Sequence, residues 1–291
     1  MGQENKYTFS LSALGLGLVT ATLSNCFYSP AGEYSARSTI LFGLLSTLGL
    51  VIGAGCFYLL ALKCQLFSGA GFLSRLGAWI FLGWFGMELF RTACAAQTVC
   101  REHFGSNGLI AVLPILLLVS WEMKASALDR SARAVWWLLA AGALVCLAGI
   151  GSQMHWQRLF TAEGAPVWGD RWPPIPIYPE YFALPLLCQK KKAHQGIFLP
   201  FWSYGVQAGY ALVLDLVLGR AVSSDYQGLE LLRAWALGYF SRLDALLLLL
   251  WLTAALWRIC LLAYLLRALW PTCIGMKKNP EIQNQYKGVQ T

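Results

Sequence analysis

Charge is what this chain lacks most. Only 12% of its 291 residues are Asp, Glu, Lys or Arg, against about a quarter in a soluble domain. Histidine is nearly absent, with three residues, and His103, His155 and His194 stand far apart. That spacing excludes a His-based metal site or triad built from neighbours in sequence. The chain holds no G-x-S-x-G, no H-E-x-x-H and no paired aspartates inside an apolar run, so the familiar hydrolase signatures are missing. The reading is that it is not an enzyme. The nine cysteines form no C-x-x-C pair and lie mostly inside apolar stretches, where they serve as small core residues; no metal and no cofactor is expected.

What the chain has instead is apolar length: 57% hydrophobic residues, a mean hydropathy of +0.55, and 13 tryptophans suited to membrane interfaces. This is the composition of an all-α polytopic membrane protein. Eight spans are expected, at 11–30, 38–62, 78–99, 107–121, 134–151, 176–189, 196–219 and 243–266. The first apolar run, 11–30, reads as a retained helix and not as a signal peptide, because the head before it is weakly basic and contains Glu4. Residues 152–175 form the long external loop, and 220–241 read as an amphipathic surface helix. Residues 1–270 then make one integral membrane domain, and 271–291 a polar, disordered cytoplasmic tail.

The net charge of +8 would ordinarily raise nucleic acid as a partner. The positions argue for topology instead. With the N-terminus inside, alternate segments hold 13 of the 22 basic residues, including every lysine, and both termini are cytoplasmic. No basic stripe remains to follow a phosphate backbone. Close helix approach is expected at Gly53, Ala54 and Gly55 and at Gly83 and Gly86.

Polar groups inside apolar spans are costly and need a partner or water. Glu88 has Arg91 and Thr92 on its own helix face, which makes either a neutralising pair or the wall of a polar cavity. Asp215 lies near a span end. Asp244, Trp251 and Arg258 recur every seven residues along one face of the last span, with Arg258 deepest.

The sixth span is the most unusual. Glu180 sits among Pro176, Pro179 and Pro185, and the run closes on Lys190, Lys191 and Lys192. Its apolar part, about fourteen residues or roughly 21 Å as helix, is short of the roughly 30 Å hydrocarbon core. The first span is also interrupted, by Ser24, Asn25, Cys26, Phe27, Tyr28, Ser29 and Pro30. This is either a helix end or an unwound segment. Two interrupted spans, five apart, match the layout of a transporter that binds its substrate between broken helices. The candidate ligand contacts are Ser24, Asn25, Tyr28, Tyr178, Glu180 and Tyr181. The polar intramembrane set is Glu88, Arg91, Asp244 and Arg258. Glu180 either meets a ligand ammonium or pairs with Arg258.

Three stretches carry a family resemblance. They are Ser126–Arg133 (SALDRSAR) before a span that ends in Met154–Leu159 (MHWQRL); Tyr178–Lys192 (YPEYFALPLLCQKKK) before a long apolar span; and Tyr239–Leu246 (YFSRLDAL) followed by Trp251. In these the chain resembles the spore-germination permeases, the GerAB-like B subunits of nutrient germinant receptors, in the amino acid–polyamine–organocation superfamily. The resemblance implies a LeuT-like, amino acid permease helical bundle with broken helices 1 and 6, here lacking helices 9 and 10. It also implies a small nutrient ligand such as an amino acid, A- and C-type receptor subunits as partners, and a place in the spore inner membrane or cell membrane. The alternative is a proton-coupled secondary transporter of an amino acid or polyamine.

The charge pattern yields a direct expectation. Fused after Thr291, green fluorescent protein should fluoresce and alkaline phosphatase should stay inactive; the reverse pair would place that end outside.

Overall fold

The computed structural model describes residues 11–28, 36–63, 71–157, 176–183, 196–218, 231 and 243–275. Among them are seven α-helices and no strand: α1 (Leu11–Tyr28), α2 (Ala36–Lys63), α3 (Phe72–Phe104), α4 (Leu109–Glu122), α5 (Ala125–Ile150), α6 (Pro200–Val217) and α7 (Leu243–Ile274). Two 3-10 turns complete the set, Gly151–Gln153 and Pro179–Phe182.

The helices assort by how much of their circumference is apolar and covered. From Ala13 to Thr22 every residue of α1 is buried, so α1 runs through the middle of the bundle. It touches α3, α5, α6 and α7. The longest helices, α3 and α7, pack along each other more extensively than any other pair. Large apolar side chains face outward on the others: Leu45 and Ile52 on α2, Leu118 on α4, Leu144 on α5. An apolar exterior around a partly polar interior is the arrangement that a hydrocarbon solvent favours. Three helical segments, Ala36–Ala61, Ala125–Ile150 and Ala245–Ile274, are long and apolar enough to cross a membrane, and Leu11–Cys26 and Leu109–Glu122 are shorter apolar helices. These are compatible with a membrane protein.

Several expectations need correction. The first helix does not unwind at Ser24–Tyr28. The hydroxyls of Thr20, Thr22 and Ser24 each donate to the carbonyl four residues back, at 2.8 Å, so polar residues are accommodated inside a continuous helix. The fifth helix begins at Ala125, nine residues before the expected 134, because SALDRSAR contains no breaker and buries Leu128 and Ala132. The third helix is longer than 78–99 at both ends. It stops at Gly105, whose φ of 62° suits glycine, with the Ser106 N–H bonded to the Cys100 carbonyl at 3.1 Å. The last helix passes through Pro271 and ends at Ile274. Of the sixth expected span only 176–183 are described, and they hold one turn, Pro179–Phe182. The stretches 29–35, 158–175, 184–195, 219–230, 232–242 and 276–291, with the expected surface helix and tail, lie outside the described residues.

The glycine contacts also differ. A Cβ at Gly53, Gly83 or Gly86 would meet nothing within 4 Å, and at Gly55 only Ile197 at 3.7 Å. Close approach occurs at Gly17, where a Cβ would stand 2.9 Å from Leu261, and at Gly142, where it would stand 2.7 Å from Leu250. Both admit α7, the largest contact surface in the bundle.

At one end of the bundle, Asp215 of α6 accepts the backbone N–H of Ala36, the first residue of α2, at 2.7 Å. A carboxylate at a helix N-terminus satisfies an orphan donor and meets the positive end of the helix dipole. Asp215→Ala should therefore lower stability by about 1 kcal/mol. This is measurable as an earlier midpoint in detergent unfolding, with Asp215→Asn losing less.

Candidate functional site

The Pro179–Phe182 turn lies inside the bundle, and its side chains diverge to different helices. Tyr178 enters it in extended backbone, and Tyr178, Pro179, Glu180, Tyr181 and Ala183 are all buried. The Tyr178 hydroxyl accepts from the Asn25 amide of α1 at 2.7 Å and lies against Thr22. The Tyr181 hydroxyl meets Ser203 of α6, whose own hydroxyl donates to the Pro200 carbonyl at 2.9 Å. The Phe182 ring lies 5.1 Å from Phe57 of α2 and 5.8 Å from Trp84 of α3, centre to centre. Glu180 turns to α7.

Arg258 of α7 is the centre of the polar cluster. Its Nε and Nη2 donate to Glu180 Oε1 at 3.0 and 2.7 Å. Nη2 also donates to Glu88 Oε2 of α3 at 3.1 Å, and Nη1 to the Thr92 hydroxyl at 2.6 Å. Four of the five N–H donors of the guanidinium are thus used. Thr92 in turn donates to the Glu88 carbonyl at 2.8 Å, which fixes the direction of its hydroxyl. Arg91 closes the cluster, with Nη1 donating to Glu88 Oε1 at 2.9 Å. Two carboxylates and two guanidiniums sum to zero, and that neutrality makes the interior tolerable. The guanidinium carbon also lies 5.7 Å from the centre of the Tyr178 ring, within cation–π range.

The two sides of the cluster are unequal. Both oxygens of Glu88 are engaged, one by each arginine. Glu180, at 0% exposure, accepts twice through Oε1, while its Oε2 has no hydrogen-bond partner among the described residues. A buried acceptor left open forfeits about 1–3 kcal/mol. The carboxylate also rests against α1 at its narrowest point: a Cβ on Gly17 would be 4.0 Å from Glu180 Oε1.

The expected contacts separate as follows. Asn25, Tyr178 and Glu180 come together, with Tyr181 one residue beyond. Ser24 stays on α1, donating to Thr20. The side chain of Tyr28 lies outside the described residues. Glu88, Arg91 and Arg258 form one network with Glu180, so the Arg258 partnership left open from sequence is the one found. The side chain of Asp244 is outside the described residues; Trp251, one repeat further along α7, is buried. Thr22 and Ser203 join without having been singled out. Thr22 precedes Asn25 by three residues on the same helix face, a usable signal, whereas nothing local marks Ser203. No group of three metal-ligating side chains occurs among the described residues.

Fold and site together define an all-helical bundle with apolar helices of membrane-spanning length and a buried, charge-balanced centre. The chain matches no protein-family model, no curated protein and no solved structure.

The unequal cluster predicts unequal substitutions. Arg258→Met would leave Glu88 and Glu180 buried without their shared cation, at a cost of about 3–5 kcal/mol. Glu88→Gln should cost less, since Arg258 keeps both bonds to Glu180. Unfolding free energies of the two variants in one detergent check the order; equal costs would contradict it.

Proposed function

We propose that the chain is a transporter-like membrane subunit that senses a small solute carrying an ammonium group, with Glu180 as the group that the solute engages. The observation that carries this reading is the open oxygen of Glu180. It is the point in the buried cluster where a further N–H donor can add without displacing an existing bond. An ammonium there would compete for the carboxylate that Arg258 now holds. Weakening the Glu180–Arg258 bond would favour a different seating of the Pro179 turn between α1, α6 and α7. Such a population shift is a sensing mechanism with no chemical step.

The sequence resemblance extends this reading. In it the chain is a divergent germinant receptor subunit of the GerAB-like kind, with eight spans in a LeuT-like arrangement, embedded in the spore inner membrane or cell membrane. Its ligand is then an amino acid, and its partners are A- and C-type receptor subunits. Asn25 on α1 and Tyr178, Glu180 and Tyr181 on the turn are the contacts of that site.

A second reading rests on the same oxygen. A buried carboxylate with one open position can also carry a proton, as in a proton-coupled secondary transporter of an amino acid or polyamine.

Thermal unfolding of the purified protein separates these readings. A panel of L-amino acids added singly should include at least one that raises the midpoint of the native chain and leaves Glu180→Gln unmoved. A shift of equal size in that variant would remove Glu180 from binding. Tyr178→Phe, which keeps the charges, controls for misfolding and should retain a reduced shift. Uptake into proteoliposomes that follows an imposed pH gradient and fails in Glu180→Gln would favour transport over sensing.

A further inference from the structure

One arginine of the cluster faces the wrong way for an interior residue. The side chain of Arg91 is 59% exposed. Its single bond to Glu88 occupies one of five N–H donors, and no other hydrogen bond to it occurs among the described residues. Its surroundings on α3 are apolar. Ile80 is 60%, Met87 56% and Phe90 67% exposed. At about 100° per residue, Gly83, Met87, Phe90 and Cys94 fall within roughly 60° of one another, with Arg91 at the edge of that stripe and Glu88 behind it.

Depth makes this exposure informative. Trp79 of α3 and Trp270 of α7 are half-exposed and in ring contact, 6.4 Å between centres. Paired tryptophans of this kind mark a membrane interface. From Trp79 to Arg91 is about twelve residues, roughly 18 Å along α3. The half-thickness of the hydrocarbon is roughly 15 Å. α3 is not among the three helices long and apolar enough to cross a membrane; if it crosses with this pair at an interface, Arg91 stands close to the midplane, on the outer face of the bundle, with N–H donors that lipid tails cannot satisfy.

We infer that this face of α3 docks a transmembrane helix of a different protein, one that carries a carboxylate near the midplane. A carboxylate accepts the planar fork of a guanidinium through two parallel bonds, which a hydroxyl or amide cannot do. On that stripe, Gly83 leaves room for a backbone to come close. A second copy of this chain is the wrong occupant. Copies related by an axis along the membrane normal place Arg91 at the same depth in each, so the contact would set like charges against each other. This inference needs the bundle to lie in a bilayer, but it does not rest on the solute-sensing role of Glu180.

Association in vesicles tests it. The full-length chain is reconstituted in phosphatidylcholine and titrated with fluorescent Leu/Ala helix peptides that carry Glu, Gln or Leu at their centre. The Glu peptide should associate about threefold or more tightly than the other two, in line with interhelical polar contacts in membranes. That gain should vanish in Arg91→Gln and persist in part in Arg91→Lys, each chain being measured well below its own unfolding temperature. Three outcomes would overturn the inference. The first is equal association of the three peptides. The second is cross-linking between copies of Phe90→Cys, which would make this a self-contact. The third is reaction of Arg91→Cys with a membrane-impermeant maleimide, which would make the face a water-lined cleft.

Discussion

The guanidinium of Arg258 is the constraint on which the rest of this molecule depends. It stands midway along the 32-residue α7 and binds two acids from elements far away in sequence, Glu88 and Glu180. Unpaired, each of these groups would be costly in an apolar interior; together with Arg91 they are neutral. Satisfying Arg258 fixes the register of α3 against α7. It also fixes how deep the Pro179 turn lies, because Glu180 reaches Arg258 only when the turn is fully inserted. A buried ion cluster adds little net stability over a well-packed apolar core of the same volume. Its contribution here is uniqueness: apolar helices can slide past one another at small cost, and a four-membered charge network cannot.

The turn then distributes that constraint. Its consecutive side chains fasten α1 through Tyr178, α7 through Glu180, α6 through Tyr181, and α2 with α3 through Phe182. The described part of this segment, 176–183, is held in place through its neighbours. The same dependence runs backwards. A change in how Glu180 is bonded is felt by every helix the turn touches, which a long, self-sufficient helix would not transmit.

Local physics was legible in the sequence and long-range partnership was not. Glu88 and Arg91 are neighbours by helical spacing alone, and their pairing follows from it. The oddity of the Pro-flanked Glu180 was visible because a short, charged segment conflicts with the length that a membrane requires. That Glu180 meets α7 was not visible, since Arg258 lies 78 residues away. Asn25 and Tyr178, separated by 153 residues, were expected to share a site, but the sequence leaves open whether the first span ends or unwinds from Ser24 on. Hydroxyl groups there look like a break in one dimension; in three they fold back on the preceding turn of their own helix. The glycines show the same limit. Gly83 and Gly17 look alike in sequence, and only the approach of Leu261 makes Gly17 the tight position.

Arg91 has a consequence in time as well as in space. The chain is made from its N-terminus, and 170 residues separate Glu88 from Arg258, its cation on α7. During that interval Glu88, at the centre of α3, has no Arg258 to pair with. Arg91, one turn further on, is synthesised almost together with Glu88 and can neutralise it at once. The local pair thus holds Glu88 neutral until the last helix arrives and takes the second oxygen. A bond that looks redundant in the finished cluster is the one that makes its assembly affordable.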